Sequence, residues 1–491
     1  RGLEVSGRGF RLGRRAKGRR PRGGLASPAW GWVWRRDLAL AARPREVRGP
    51  GSEAQARGPR GIMLALSCSV QQYAWGKPGS KSRVAAYKVS SDAGFELQEG
   101  ETYAELWMGT HPKAPAAMRD AADEALTEWL AANPAVLGSD ALEENGSLPF
   151  LFKVLSINKA LSVQSHPDKA LAEKLHAERP DVYKDPNHKP EFGIALTPFE
   201  GMCDFRGLAE IAAHLQKHPE FRALCGVEAA AGVEAAVGAD EAAQRAALKA
   251  LFAAFIAASD ELKADQLEAF VARLTAEDQA EATPEAPQEE AELRKLMLRL
   301  NAQFPGDTGA MVPLLLNYLK LEPGQGFFMG ANKPHAYIAG DILETMACSD
   351  NVVRVALTPK YRDVETLVEM LTYECGVPTI DSGAAIDAHT KVFSPPVYEC
   401  EVDMTSIAGA ESYALRALGS CSILLVTDVA GAVVAEAAPL AGVPHLLSRV
   451  ELKVGETYFI PAGVEVTLTG AGADAACSVA RAHTNPAVPK N

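Results

Sequence analysis

Residues 162–169 read Ser-Val-Gln-Ser-His-Pro-Asp-Lys and follow an apolar run, residues 151–157, that has the composition of a buried strand. Because side chains alternate along an extended chain, Gln164 and His166 point the same way. Pro167 cannot donate to a strand ladder, so we expect the strand to end there. The segment therefore directs an amide oxygen and an imidazole to one spot, and these two groups are half of a metal site.

The composition is that of a globular protein, with 47% hydrophobic and 23% charged residues among 491. This length is enough for two to four domains. No apolar run approaches the roughly 18–20 residues of a membrane helix. The eight cysteines form no Cys-x-x-Cys pair, which favours reduced, mostly buried thiols in a cytosolic protein.

The net charge of −12 is unevenly distributed. Residues 1–62 carry 16 basic and four acidic side chains, which leaves 34 basic and 58 acidic ones in the remainder. An acidic body of this kind has no electrostatic reason to bind nucleic acid. The first 62 residues are rich in Arg, Gly and Pro, so we expect them to be disordered.

Two explanations of residues 1–62 compete. They are Arg-rich and poor in acids, as transit peptides are. Alternatively, they are translated from upstream of the true start, because strand-like sequence begins directly after the first methionine, Met63. We favour the second explanation and expect this extension not to belong to the native fold.

The remaining chain changes character twice. Short strand patterns run to about residue 206, and residues 207–302 are rich in Ala, Glu and Leu with apolar residues at helical spacing. Within that helical block we expect residues 276–292, which are acidic and contain two prolines, to form a solvated loop. Strands then resume, and from about residue 371 they alternate with Gly/Pro turns, as in all-β sandwiches and barrels.

An internal repeat links the two strand-rich regions. Gly324 is followed by Asn332 at +8 and His335 at +11, and Gly455 is followed by glycine at +8 and Val466 at +11. Both segments resemble the second sequence motif of the cupin jelly roll, in which a turn sends a strand into the barrel with an inward histidine. The second copy lacks that histidine. We therefore predict two cupin barrels, of which only the first holds a metal.

The inward-pointing donors Gln164, His166, Glu191 and His335 offer two imidazoles, a carboxylate and an amide oxygen, a set that suits zinc with open positions. Taken singly, each of these residue types more often has a structural role, and the cupin pattern is what makes the set persuasive. Four cations lie around these donors in the sequence and suit a phosphorylated sugar. They are Lys153, Lys189, Arg354 and Lys360.

The sequence resembles the type I mannose-6-phosphate isomerase (phosphomannose isomerase) family, and its animal members most of all. The resemblance runs in order from about residue 66 to the C-terminus, with a helical insertion where the family has one. It is carried by five segments, residues 70–76 (Val-Gln-Gln-Tyr-Ala-Trp-Gly), 103–112 (Tyr-Ala-Glu-Leu-Trp-Met-Gly-Thr-His-Pro), 161–167, 185–191 (Asp-Pro-Asn-His-Lys-Pro-Glu) and 330–360.

The resemblance implies one zinc per chain, held by Gln164, His166, Glu191 and His335, and Arg354 as the active-site arginine. It implies interconversion of mannose 6-phosphate and fructose 6-phosphate through a cis-enediol, feeding GDP-mannose synthesis and mannosylation. We expect a cytoplasmic monomer with no nucleic-acid or membrane partner. We assign further substrate contacts to Ser162, Lys189, Glu344 and Lys360.

The expected fold is mainly β, a double cupin with an inserted all-α domain. The expected domains are a catalytic cupin (63–206 and 303–370), a helical domain (207–302) and a metal-free cupin-like domain (371–491). The general base is left open among Glu344, Asp350, His188 and Lys189. An iron-dependent cupin oxygenase and a non-catalytic sugar-phosphate-binding cupin are the alternatives.

Overall fold

The structure is a computed structural model that describes residues 63–119, 124–143, 145–280, 288–437 and 448–490. The extension 1–62 lies outside the described residues, as does the expectation attached to it. The described chain opens with short strands and two helices. These are β1 (Leu64–Ser67), β2 (Ser69–Gln71), β3 (Lys77–Pro78), α1 (Arg83–Ser91), β4 (Thr102–Tyr103), β5 (Glu105–Met108), β6 (Ala117–Met118) and α2 (Leu126–Ala132).

The segment around residues 162–169 lies between a buried strand and a capped helix. All eight residues of the preceding strand are buried. The short strand ends at Ser165, one residue before His166, and Asp168 then caps the helix by accepting a hydrogen bond from the Leu171 amide at 2.9 Å. The elements are β7 (Phe150–Ile157), β8 (Val163–Ser165), α3 (Lys169–Glu178), β9 (Glu191–Ala195) and β10 (Phe199–Phe205).

The predicted helical block is confirmed over the described residues. It contains α4 (Leu208–Lys217), α5 (Pro219–Cys225), α6 (Val227–Ala236), α7 (Glu241–Ala257), α8 (Asp260–Ala280) and α9 (Gln288–Gln303). The predicted loop 276–292 is wrong at both ends, because α8 and α9 extend into it and Asp278 pairs with Arg294 across the two helices at 3.4 Å. None of the helices in the described ranges combines the length and apolar character needed to cross a bilayer.

The next strands complete a ten-stranded antiparallel sheet with β2, β5 and β7–β10. They are β11 (Leu316–Leu321), β12 (Gly326–Met329), β13 (His335–Ala347) and β14 (Val353–Ala356), followed by α10 (Val364–Met370). Strand β13 pairs with β8 and β10 through its first residues and with β7 and β9 through the rest. The change falls at Gly340, whose φ of +117° and contact with the Phe199 backbone leave no room for a side chain.

The C-terminal strands form two further antiparallel sheets that enclose a core of their own. The strands are β15 (Ala384–Ala385), β16 (Thr390–Phe393), β17 (Glu401–Ala408), β18 (Ser412–Ala414), β19 (Ser422–Ala430), β20 (Val433–Ala437), β21 (Arg449–Glu451), β22 (Thr457–Ile460), β23 (Val466–Gly470) and β24 (Ala476–His483). The eight-stranded sheet also contains β1 and β6. The sheet of the C-terminal domain therefore includes strands from outside the expected range 371–491.

The internal repeat is also a structural repeat. In both copies a strand spans +2 to +5 after the glycine and the next strand begins at +11, with His335 or Val466. Gly324 and Gly455 have φ of +82° and +81°. The expected fold class, two strand-rich cupin-like domains with inserted helices, is confirmed.

Candidate metal centre and its cavity

The four expected metal donors all lie at strand ends. Gln164 is in β8 and His166 directly follows it, while Glu191 and His335 are the first residues of β9 and β13. The pairing of β8 with β13 places Gln164 opposite His335. The ligand atoms of His166, Glu191 and His335 lie within 4.8 Å of one another, and all three side chains are buried.

Both imidazoles present an unpaired nitrogen to the carboxylate. The Nδ1 of His166 lies 2.6 Å from the backbone oxygen of Asn351, and the Nδ1 of His335 lies 3.2 Å from that of Lys333. A proton on each Nδ1 would serve those carbonyls and leave each Nε2 with a free lone pair. The two buried Nε2 atoms have no hydrogen-bond partner and lie 3.4 Å from the two oxygens of Glu191.

These unpartnered nitrogens are the observation that tests the fit of a metal. Burial lowers the pKa of His166 to about 4, so its ring is neutral at pH 7 and able to act as a ligand. Although burial opposes it, the positive charge of Lys189, 3.5 Å away, holds the pKa of Glu191 well below its usual range. Two imidazoles and a carboxylate in a buried cluster are a donor set that fits Zn²⁺.

A cavity of about 500 Å³ adjoins this cluster and brings together most of the expected substrate contacts. Ser162, Gln164, Lys189, Arg354 and Lys360 all line it. The Ser162 hydroxyl donates to Gln164 Oε1 at 3.0 Å, and Arg354 lies opposite Gln164 in the pairing of β14 with β8. Gln164 thus borders the cavity, while its backbone lies opposite that of His335 in the cluster.

Glu344 is the expected contact that does not reach the cavity wall. Its Oε2 accepts a hydrogen bond from Lys153 Nζ at 3.0 Å, and its Oε1 accepts one from the Tyr337 hydroxyl at 2.8 Å. Burial and the charge of Glu191 raise the pKa of Glu344, while Lys153 opposes the rise. Its carboxylate therefore holds Lys153, which does line the cavity.

The four candidate bases are placed differently. Asp350 and Lys189 line the cavity, and Asp350 Oδ2 lies 2.9 Å from Lys113 Nζ. His188 instead pairs with Glu399 of the C-terminal domain at 2.7 Å and is not part of the lining. Position alone thus separates Asp350 and Lys189 from Glu344 and His188.

Glu105 and His111 are among the titratable residues of the cavity that sequence reasoning missed. Glu105 accepts a hydrogen bond from the Trp107 indole and lies 3.8 Å from Lys153 Nζ. His111 stacks edge-on against Trp107, and its Nε2 lies 3.6 Å from Asp350. Burial lowers the pKa of His111 to about 4. The 103–112 segment that carries the family resemblance was the available signal.

A second potential ligand cluster lies in the C-terminal domain, where Glu401, Asp403 and His483 come together. A guanidinium already fills it. Arg416 Nη2 lies 2.7 Å from an oxygen of each carboxylate and 3.2 Å from His483 Nε2. This cluster therefore has its own cation, and the metal-free state of the second barrel stays a prediction.

Known proteins resemble the chain over nearly its whole described length. A sequence model of the type I phosphomannose isomerase catalytic domain matches residues 63–208, and a model of the helical insertion domain of that family matches residues 224–316. Mannose-6-phosphate isomerase of Homo sapiens is 42% identical over 414 residues, which is 83% of this chain and 95% of the relative. The chain belongs to the type I phosphomannose isomerase family.

Other members of the family agree in sequence and in fold. The Arabidopsis thaliana mannose-6-phosphate isomerase 1 is 38% identical, over 85% of this chain and 93% of the relative. The solved apo form of the Salmonella typhimurium mannose 6-phosphate isomerase is 29% identical and aligns with a TM-score of 0.66, over 86% of this chain and 99% of that one. A zinc-bound structure of mannose 6-phosphate isomerase aligns with a TM-score of 0.67.

Proposed function

We propose that the chain is a zinc-dependent isomerase that interconverts mannose 6-phosphate and fructose 6-phosphate. The observation that carries the proposal is the pair of buried, unpartnered Nε2 atoms of His166 and His335, which face Glu191 beside a cation-lined cavity. Membership of the family and the names of its members support the same activity.

Gln164, His166, Glu191 and His335 would hold the zinc. Bound there, zinc supplies a Lewis acid for the two oxygens between which the sugar's carbonyl moves. The backbone carbonyls of Asn351 and Lys333 orient the two imidazoles and keep their Nε2 lone pairs free.

The reaction moves a proton between carbons 1 and 2, so a proton acceptor must border the cavity. Of the four candidate bases, Asp350 is the one that brings a carboxyl group to the cavity lining. Lys113 and His111 hold its carboxylate in place. Arg354, beside Gln164, is positioned to stabilise the negative charge that develops on the sugar oxygens.

The finer parts of the proposal concern the whole molecule. The domains would divide as a catalytic cupin (63–206 and 303–370), a helical domain (207–302) and a metal-free β domain (371–491). The protein would act as a cytoplasmic monomer with no nucleic-acid or membrane partner, and its product would feed GDP-mannose synthesis. The eight free cysteines support a reducing compartment.

Metal analysis and a coupled assay with fructose 6-phosphate test the proposal together. We expect about one zinc per chain, loss of activity after treatment with a chelator, and recovery when zinc is restored. His335→Asn should lose both zinc and activity. His483→Asn, a change to a buried histidine in the C-terminal cluster, is the matched control and should keep its zinc.

Three results would contradict the proposal. Full activity without metal would exclude the zinc role. Loss of zinc from His483→Asn, with zinc kept by His335→Asn, would place the metal in the C-terminal domain instead of the catalytic one. Oxygen uptake with bound iron would indicate the cupin oxygenase alternative. A metal-loaded protein that binds the sugar phosphate without turnover would indicate the non-catalytic one.

A further inference from the structure

The cations that line the cavity fall into two groups. Three of them have a carboxylate partner: Lys153 with Glu344 at 3.0 Å, Lys189 with Glu191 at 3.5 Å, and Lys113 with Asp350 at 2.9 Å. The other three form no ion pair with any carboxylate in the described part of the chain. These are Lys159, Arg354 and Lys360.

The unpaired cations give one part of the cavity a net positive charge that suits an anionic group. A charged group that is partly removed from water is favourable only when an opposite charge compensates it. Burial lowers the pKa of Arg354, and burial together with the charge of Arg354 lowers that of Lys360. A phosphate dianion beside Lys360 would supply the opposite charge that this side chain lacks.

Lys159 is held at the boundary of the cavity rather than extended into solvent. It lies two residues after the end of β7, and its Nζ lies 4.1 Å from the centroid of the Phe304 ring. Its backbone amide donates to the Trp75 carbonyl at 3.1 Å, and the amide of Ala160 donates to Gln303 Oε1 at 2.9 Å. The backbone of Lys159 is therefore fixed and its ammonium lies against the Phe304 ring, yet the ammonium has no anionic partner among the described residues.

We propose that Lys159 binds the phosphate group of the substrate together with Lys360. This assignment rests on the proposed function, since it concerns the same cavity and a phosphorylated sugar. On this assignment Arg354, which lies opposite the metal donor Gln164, would contact the reacting end of the sugar, and Lys159 would contact the phosphate end. Lys189, which pairs with Glu191, is then a neighbour of the metal and not a phosphate ligand.

Lys159→Met tests the assignment, because methionine keeps an apolar stem against Phe304 and removes only the charge. We expect the KM for mannose 6-phosphate to rise about tenfold or more, as for the loss of a charge-assisted hydrogen bond, with kcat within about twofold. Inorganic phosphate, titrated calorimetrically into the zinc-loaded protein, should bind at least about tenfold more weakly to the variant. Lys159→Arg should restore most of both affinities.

Lys263→Met is the matched control. Lys263 borders the neighbouring groove but not the cavity, and its ammonium donates to the Ile256 carbonyl at 2.8 Å. It should leave KM and phosphate affinity unchanged. Unaltered phosphate affinity in Lys159→Met, an equal loss in Lys263→Met, or no phosphate binding by the unaltered protein would overturn the assignment. If Lys159→Met loses phosphate affinity but the unaltered protein shows no isomerase activity, the proposed function fails and the anion site stands.

Discussion

The two imidazoles of the cluster show how backbone carbonyls determine which ring nitrogen of a histidine carries the proton. The carbonyls of Asn351 and Lys333 lie next to the Nδ1 atoms of His166 and His335, so the proton of each ring is drawn away from Glu191. Asn351 in turn donates from its side chain to the carbonyls of Asp185 and Asn187 at 2.7 and 2.9 Å. The loop before Glu191 and the tautomer of His166 are thus fixed by the same residue.

Arg354→Ala should lower kcat by about 10²- to 10³-fold while KM changes little. The guanidinium lies beside Gln164 and has no carboxylate partner in the described chain, so its charge is available for an oxyanion that forms only during the reaction. Steady-state kinetics with mannose 6-phosphate measures the two constants separately.

Lys360→Met is the comparison for that experiment and should raise KM with kcat nearly unchanged, because phosphate is bound equally in the ground and transition states. If Arg354→Ala raises KM alone, Arg354 binds substrate and does not act on the reaction. The melting temperature of Arg354→Ala should stay close to that of the unaltered protein, which separates a kinetic effect from unfolding.

At the scale of residues, short-range spacing could be predicted and long-range pairing could not. Gln164 and His166 are two apart, so alternation along a strand is enough to associate them. The partnership of Glu344 with Lys153 depends on the register of β13 against β7, where the two residues are direct neighbours although 191 positions separate them. Glu105 reaches the cavity by the further pairing of β5 with β7. No local pattern encodes those registers.

Among the elements, the repeated hairpin has the same left-handed backbone conformation in both copies, although a different residue type adopts it in each. At +8 of the two copies, Asn332 and Gly463 have φ of +61° and +72°. Asparagine tolerates this left-handed conformation better than most residues do. It also donates to Asp168 Oδ2 at 2.7 Å, which ties the first hairpin to the end of the segment that carries His166. The second copy has no metal ligand to position and uses glycine.

Gly463→Ala should lower the free energy of unfolding by about 1–2 kcal/mol and leave the isomerase activity intact. The cost is conformational, because a Cβ at Gly463 would meet nothing within 4 Å while φ stays positive. Gly455→Ala should cost about 1–3 kcal/mol more, since its Cβ would lie 2.4–2.7 Å from the Tyr87 backbone.

Urea denaturation followed by far-ultraviolet circular dichroism compares the two glycine variants with the unaltered protein. Equal losses for both would show that the contact with Tyr87 relaxes freely. No loss for Gly463→Ala would show that the turn adopts another conformation, against the φ described for it.

Helices were predictable where the apolar residues recur at helical spacing, and less so where contacts with other elements determine whether a helix forms or where it ends. The helical spacing of Leu248, Phe252 and Phe255 predicted a buried helix face, and all three side chains are buried in α7. The helix α1, in contrast, has few long apolar residues and was not predicted. Its Ser82 cap and its contact with β7 stabilise it within the fold. The ends of α8 and α9 were misplaced because acidic residues there pair with cations of the neighbouring helix.

At the scale of the whole molecule, the first strand of the described chain belongs to the last domain. Strand β1 pairs with β22, so that Leu64 lies opposite Phe459 and Leu66 opposite Thr457. The Tyr87 hydroxyl donates to the Thr427 carbonyl at 3.1 Å across the same boundary. The two β domains are therefore joined by main-chain pairing as well as by side chains, which a division of the sequence at residue 371 does not convey.

Residues 63–370 produced alone should consequently fail to give a stable, zinc-binding protein. Without β22 the β1 strand loses its main ladder, and β1 exposes buried apolar side chains such as Leu64 and Leu66. His188, three residues before the metal ligand Glu191, would also lose its partner Glu399. Size-exclusion chromatography and zinc analysis check this, and co-expression of residues 371–491 should restore both solubility and metal. A monodisperse 63–370 fragment that binds zinc at full stoichiometry would show instead that the catalytic domain folds independently, with β1 held by contacts inside its own half of the chain.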